Sequence, residues 1–340
     1  MTGLAYWAWA IALAALAGLI VALAMRPLIA WLKRRAVWDV PNARSSHAEA
    51  TPRGGGIAVM AGIVAAAAVW LGLLQDAVAA VALLGALALA AISWLDDRRA
   101  GGLPARLRLA AQALVIGIVL ALLPAEARIA GGWMPLWLER IVCFFAWLWF
   151  TNLFNFMDGI NGISGTEMAS IGIGIAALHA IAGDADSSGG LALILAAAGL
   201  GFLPWNWNRA RVFLGDVGSV PAGFLLGWLL LDAALQGQWA AALIVPMYYW
   251  LDASITLLRR LLRREKIWEA HRSHFYQQAA RRFGDHVSVT RRIAALNVAL
   301  IGLALVSSAG WPLNGLAVTV AAGLTILLCR HFAQPAKPVL

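Results

Sequence analysis

Apolar residues run through this chain in long blocks, separated by short polar stretches. The blocks lie at about 5–25, 55–73, 77–95, 108–124, 136–156, 167–183, 189–205, 217–233, 237–257, 292–309 and 312–329. Each approaches the roughly 17 to 25 residues that an α-helix needs to cross a bilayer. The pattern therefore predicts an all-α, polytopic integral membrane bundle of about 11 transmembrane helices. The third and fourth blocks are rich in Ala and Leu, which favours close helix packing. No Lys or Arg precedes the first block, Tyr6 to Met25, so it reads as a retained helix and not a cleaved leader. Residues 1–330 read as one membrane domain, and 331–340 as a short tail.

The polar stretches give the bundle a direction. All but two of the 26 Lys and Arg, Arg128 and Arg140, fall in alternate loops, at their edges or in the tail. Basic loops mark the cytoplasmic side of a membrane protein. The N-terminus is then expected in the periplasm and the C-terminus in the cytoplasm. This placement also accounts for the formal charge of +9 without nucleic acid. Composition agrees: 62% of residues are hydrophobic and 13% charged, against about 25% charged in a soluble domain. Cys143 and Cys329 both lie in apolar blocks and set no disulfide framework.

Three acidic stretches stand at the expected cytoplasmic ends of three blocks: SWLDDRR (93–99), FNFMDGINGISGT (154–166) and FLGDVGS (213–219). Asp96 and Asp97 point about 100° apart on a helix, so they need not share a ligand. One can hold a metal while the other orients a nucleophile or the metal's waters. Asp158 is set among Gly159, Gly162 and Gly165, with Asn152, Asn155 and Asn161 supplying amides. Asp216 precedes a helix whose start can hold a metal and the phosphate it carries, and Asn206 and Asn208 lie upstream. The bland reading of all three is polar capping of helix ends.

The longest basic loop contains EAHRSHFYQ. On a helix, the i, i+3 spacing of His271 and His274 would put both rings on one face. Without Cys or other ligands nearby they read as phosphate donors or proton carriers, assisted by Arg272. The competing reading is a basic interfacial helix on anionic lipid. His47, with Arg44 and Arg53, is a further anion-binding candidate, and Gly54 to Gly56 are expected to give that loop flexibility. Asp252 lies inside a block and is a functional candidate by its location. Glu167, Asp232 and His179 carry structural readings.

No Walker A or dinucleotide signature is present. Carboxylates for Mg²⁺, glycine-rich loops and Arg/His donors on one membrane face fit phosphoryl transfer from a soluble donor to a membrane-resident acceptor. The stretches SSHAEATPRGGG, WLDDRR, NFMDGINGI, FLGDVGS and HRSHFYQ, in that order, resemble the polyprenyl-phosphate N-acetylhexosamine-1-phosphate transferase family, over about 28–278.

That resemblance implies a bacterial inner-membrane enzyme with its site on the cytoplasmic side. It would transfer a sugar 1-phosphate from a UDP-N-acetyl sugar to undecaprenyl phosphate, releasing UMP. It implies Mg²⁺, with Mn²⁺ as a substitute, and a membrane groove for the lipid tail. It assigns metal binding to Asp216 and Asp96, and catalytic roles to Asp96, Asp97, Asp158, His271 and His274. By the same resemblance Asn155 and Asn206 fall on the substrate side, where Arg272, His47 and Arg53 join them as the anion-binding candidates named above. A homodimer is left open. Two departures stand out: Asn161 replaces the usual second acid of its motif, and HRSHFYQ replaces a triple-histidine pattern. The latter resembles the O-antigen-initiating branch, whose sugars include N-acetylfucosamine and N-acetylquinovosamine, with N-acetylglucosamine also open. The peptidoglycan lipid I-forming enzyme is the alternative within the family. A membrane transporter is the rival outside it.

Overall fold

The computed structural model describes residues 3–41, 49–99, 101–266 and 271–334. It is a helical bundle, with ten helical segments among the described residues long and apolar enough to cross a membrane. Helices α1 (Gly3–Arg34), α2 (Gly56–Leu74), α3 (Ala77–Arg98), α4 (Ala105–Leu122), α5 (Leu136–Phe156), α6 (Ile163–Ala182) and α7 (Ser187–Asn206) follow in order. A two-stranded hairpin, β1 (Trp38–Asp39) and β2 (Thr51–Pro52), links α1 to α2. After α8 (Asp216–Ala233) the chain turns and returns as α9 (Trp239–Ile244) and α10 (Met247–Leu262). It ends with the short α11 (Phe275–Phe283), α12 (His286–Ser307) and α13 (Leu313–Phe332).

Ten of the eleven expected spans thus correspond to single helices. The block at 237–257 is split. Gly237 turns the chain with φ near 87°, and Pro246 separates α9 from α10. A proline cannot donate the backbone hydrogen bond that would continue a helix. Each piece alone is too short to cross, but together they form the return path.

Helix α8 is the central post, buried along nearly its whole length between α3 and α5. Small residues on it admit the aromatic face of α5. A Cβ on Gly227 would meet the Trp147 ring at 2.5 Å, and one on Gly223 would meet Phe154 at 2.7 Å. Trp147 stacks on Phe224, and its Nε1 donates to the Phe224 carbonyl at 2.8 Å. In an apolar solvent such packing and inter-helix hydrogen bonds replace the hydrophobic effect as the source of association. This arrangement brings the C-terminal ends of α3 and α5 to the N-terminal end of α8.

Segment 52–56 is fixed, contrary to the flexibility expected of Gly54 to Gly56. The backbone N–H groups of Gly54 and Gly55 donate to the Phe213 carbonyl, and Gly56 donates to that of Leu214. Phe213 donates back to Pro52 at 2.9 Å. A Cβ on Gly56 would lie 2.2 Å from Gly218 Cα. The glycines serve close backbone approach, and they hold Arg53 against the start of α8.

Candidate active site

Three carboxylates from two helices converge through two shared guanidinium groups. Arg53 Nη2 lies 2.6 Å from Asp216 Oδ1 and 2.9 Å from Asp97 Oδ1. Arg108 Nη1, at the start of α4, lies 3.0 Å from Asp96 Oδ2 and 3.1 Å from Asp216 Oδ2. Asp96 and Asp97 do diverge on α3, but each reaches Asp216 through its own arginine. Asp96 also accepts from the Leu103 amide, and Asp97 Oδ2 accepts from the Val217 amide at 3.1 Å. Burial opposes the charge on Arg53, but Asp216 and Asp97 outweigh it and hold the guanidinium above its ordinary range.

Asn155, on the last turn of α5, completes this cluster. Its Nδ2 donates to Ser219 Oγ at 2.7 Å and to Asp216 Oδ1 at 3.2 Å. The set offers several carboxylate oxygens at one point, which is the donor type for a hard divalent cation such as Mg²⁺. Asp97 has a fully enclosed side chain, and its Oδ1 pairs with Arg53 by proximity yet receives no directed hydrogen bond. A buried carboxylate oxygen that has an ion-pair neighbour but accepts no hydrogen bond, set among other oxygen donors, fits such an ion. The arginine side chains, 34% and 39% exposed, retain access to solvent and so to an anionic ligand.

Asp158 sits in the loop between α5 and α6, where Ser164 Oγ donates to its Oδ1 at 2.5 Å. Burial pushes its carboxyl up to about 6, despite that hydrogen bond, and the nearby Asp216 charge adds to the rise. A Cβ on Gly159 would come within 2.2 Å of the Tyr276 hydroxyl, so the loop passes directly against α11. Asn161, in the place of the usual acid, donates to the Asn208 carbonyl at 2.8 Å. Asn206 braces the same loops: its Oδ1 accepts from Gly162 N at 2.7 Å and its Nδ2 donates to the Val212 carbonyl at 2.9 Å.

His271 and His274 stack with ring centroids 4.9 Å apart, but not as neighbours on a helix. Helix α11 begins at Phe275, and His274 is its extended N-cap. The cause is Asp252 on α10. Its Oδ1 and Oδ2 accept from the Phe275 and Tyr276 amides, each at 3.0 Å, so one carboxylate caps the helix. The same Oδ1 lies 3.1 Å from His274 Nδ1, and Tyr248 donates to Oδ2 at 2.9 Å. Tyr276 then ties α11 to α5 by donating to the Phe156 carbonyl at 3.0 Å. His271 pairs with Ser273 Oγ at 2.8 Å. Burial, then the neighbouring His274 and Arg260, lower its imidazole to about 4. The Arg272 carbonyl accepts from Arg281. His47 lies outside the described residues.

Arg108 and Tyr276 escaped the sequence reading. Arg108 sits with Arg106 at the opening of the fourth apolar block, eleven residues after Asp97, and nothing local sets it apart from Arg98, Arg99 or Arg106. Tyr276 carried no signal beyond its place after the histidines.

The fold and site define a multi-pass membrane protein with an acidic, arginine-braced mouth at one end of the bundle. Residues 78–234 match the model of glycosyl transferase family 4. The chain is 26% identical over 278 residues to a protein of Bacillus subtilis (strain 168) named as a probable undecaprenyl-phosphate N-acetylglucosaminyl 1-phosphate transferase, covering 78% of this chain and 74% of that protein. It is 30% identical over 209 residues to the decaprenyl-phosphate N-acetylglucosaminephosphotransferase of Mycolicibacterium smegmatis (strain ATCC 700084 / mc(2)155), covering 55% and 51%. A phospho-N-acetylmuramoyl-pentapeptide-transferase of Staphylococcus haemolyticus (strain JCSC1435) is 28% identical over 127 residues, 37% and 38% of the two chains. The chain is thus similar to glycosyl transferase family 4 over its central residues 78–234, and to relatives named as polyprenyl-phosphate N-acetylglucosamine-1-phosphate transferases over a larger part of its length.

Proposed function

We propose that this protein transfers an N-acetylhexosamine 1-phosphate from a UDP-sugar to undecaprenyl phosphate and releases UMP. The observation that carries the proposal is the convergence of Asp96, Asp97 and Asp216 through Arg53 and Arg108. Such a centre suits a diphosphate and a second phosphate brought together. An oxygen of the lipid phosphate attacks the sugar-bearing phosphorus. The bond from that phosphorus to the bridging oxygen breaks, and UMP leaves with the electron pair. A phosphate monoester has a second pKa of about 6, so the acceptor is already ionised at pH 7 and needs no strong base. Proximity and charge compensation then carry the rate, and we favour direct attack.

Asp216 and Asp96 would hold Mg²⁺, with Asp97 beside them. The ion would offset charge on the diphosphate and on the leaving group. On this reading Arg53 and Arg108 would orient the phosphates, and His271 and His274 would serve as further donors. Asn155 holds Asp216 in place. An apolar groove of about 580 Å³ lies between α5, α8 and α9–α10, lined by Val142, Cys143, Ala146, Leu230, Leu231 and Ala242. It suits the polyprenyl tail. The mouth would face the cytoplasm of a bacterial inner membrane, as the basic loops favour. The relatives' names favour N-acetylglucosamine as the sugar, and the HRSHFYQ form favours an O-antigen-type branch.

A transporter reading draws on intramembrane acids, of which Asp252 was the leading one. Asp252 is committed to capping α11 and holding His274, which supports the enzyme reading. The deciding assay is UMP release by purified protein from a panel of UDP-N-acetyl sugars with undecaprenyl phosphate and Mg²⁺. Release that requires lipid, metal and Asp216 (tested by Asp216→Asn) is expected. No release from any UDP-sugar, with folded protein and an active control enzyme, would refute the assignment.

A further inference from the structure

The opposite end of the bundle holds a second cluster of metal-binding side chains, separate from the acidic mouth. Asp232 lies sixteen residues along α8 from Asp216, or about 24 Å at 1.5 Å per residue. With it stand His179, in the last turn of α6, and Asp186, the N-cap of α7. One ligand atom from each of the three lies within 4.8 Å of the other two.

His179 sets this apart from ordinary capping. It is 3% exposed. Its Nδ1 lies 3.2 Å from Asp186 Oδ1, yet the approach is not that of a hydrogen bond, and among the described residues the nitrogen has no hydrogen-bond partner. A buried imidazole nitrogen is thus aimed into a group of carboxylates without being satisfied by them. Two ligand atoms on one Zn²⁺, at roughly 2.0–2.2 Å from the ion with tetrahedral angles, stand about 3.4 Å apart. The observed separation is close to that value.

The surrounding hydrogen bonds orient the carboxylates. Asp186 accepts from Ser188 N at 3.0 Å and from Gln236 Nε2 at 2.7 Å. Asp232 Oδ2 accepts from Ser188 Oγ at 2.6 Å and from Gln236 Nε2 at 2.7 Å, and its Oδ1 takes part in neither bond. Asp76, the N-cap of α3, adds a third carboxylate nearby through Ser187 Oγ at 2.5 Å. Among the described residues, no ion pair joins a Lys or Arg to Asp76, Asp186 or Asp232. At the acidic mouth, by contrast, guanidinium groups compensate the carboxylates. A cation would supply the missing charge here.

We propose that His179, Asp186 and Asp232 form a binding site for a divalent transition metal of the Zn²⁺ class, which ties together the ends of α6, α7 and α8. Imidazole as a ligand favours Zn²⁺ over Mg²⁺, which takes oxygen donors. Three protein ligands leave a fourth position for water.

The test uses the full-length protein in detergent, stripped of metal and then titrated with Zn²⁺ in millimolar Mg²⁺ to saturate oxygen-only sites. We expect one Zn²⁺ per chain, retained in Asp216→Asn and accompanied by a rise in melting temperature. Asp186→Asn and Asp232→Asn, which preserve shape, should each weaken Zn²⁺ binding by more than the roughly 10- to 100-fold that losing an outer hydrogen-bond partner costs. Co²⁺ in place of Zn²⁺ should give a visible ligand-field spectrum that His179→Gln abolishes. The site is refuted if the wild type retains no Zn²⁺ beyond what Asp216→Asn removes. It is equally refuted if both asparagine variants bind as the wild type does.

Discussion

Arg53 Nη2 sits 2.6 Å from Asp216 Oδ1, joining residues 163 positions apart in the chain. The same nitrogen reaches Asp97, whose side chain is wholly enclosed. One guanidinium thus balances two carboxylates from α3 and α8. Removing it by Arg53→Ala leaves Asp97 as an unpaired buried charge, a change that costs about 3 kcal/mol in comparable settings. Arg53→Lys restores the charge but not the planar fork that can face two carboxylates. We expect Arg53→Ala to lower both melting temperature and UMP release, the latter by at least about 100-fold. Arg53→Lys should recover most of the stability and little of the activity. Equal recovery of both would show that Arg53 acts by charge alone.

A second relationship reaches the histidines from inside the membrane domain. Asp252 accepts from two amides of α11 and sits 3.1 Å from His274 Nδ1. Asp252→Asn would turn one acceptor into an NH₂ facing backbone donors. We expect α11 to lose its cap, at about 1 kcal/mol, and His274 to lose its orientation. UMP release should fall about 10- to 100-fold, with the Km for Mg²⁺ little changed, because the partners of Asp252 are Tyr248, Thr256 and the start of α11 and not the carboxylate cluster. A Km for Mg²⁺ raised in proportion to the lost rate would place Asp252 in metal binding instead.

The helices were legible because a bilayer imposes length and hydropathy on every span, as α2, α5 and α8 illustrate. Hydropathy alone does not show that Pro246 splits the return span, since the residues on either side of it, α9 and the first turn of α10, are apolar. The acidic residues were visible at the span ends, but their pairing was not. That Asp96 and Asp97 reach Asp216 through different arginines depends on how α3 packs on α8, which no local pattern encodes. The spacing of His271 and His274 matched a helix, but Asp252, an acid twenty-two residues before His274, starts that helix after both of them. Gly54 to Gly56 looked flexible in sequence because glycine permits both freedom and close contact, and only the position of Gly218 distinguishes the two.

That contact yields a direct prediction. A methyl group at residue 56 would fall 2.2 Å from Gly218 Cα, with backbone and not a movable side chain in the way. Gly56→Ala must push segment 52–56 away from α8 and take Arg53 with it. We expect a loss of at least about 2 kcal/mol, as for overpacked cores, together with near-complete loss of UMP release. Gly72, also in α2, has nothing within 4 Å of a built Cβ. Gly72→Ala should be neutral or slightly stabilising, since alanine is the better helix former. Thermal melting of both variants in the same detergent checks the pair, and equal melting temperatures would contradict the close approach.

Two shifted groups, Asp158 beside the mouth and His271 ahead of α11, predict opposite effects of pH on stability. The carboxyl of Asp158 is raised from its ordinary value near 3.8 to about 6, chiefly by burial. Its folded form therefore disfavours the charge. Below about pH 4 the acid is neutral in both states and costs nothing, and the penalty grows until it is complete above pH 6. Asp158→Asn keeps an acceptor for Ser164 and removes that penalty, so it should be more stable than the wild type above pH 6 and equal to it below pH 4. The imidazole of His271 is lowered from 6.5 to about 4, again chiefly by burial. Here the folded state disfavours the proton, so the penalty appears as pH falls from 6.5 toward 4 and is absent above 7. His271→Asn should be more stable than the wild type in acid and equal to it at pH 7.5. Each gain should reach about 1–2 kcal/mol, given the partial exposure of both groups. Melting temperatures of the three proteins between pH 4 and 8 would trace two difference curves of opposite slope. Parallel curves would mean that the burial seen around one of these groups does not govern its titration.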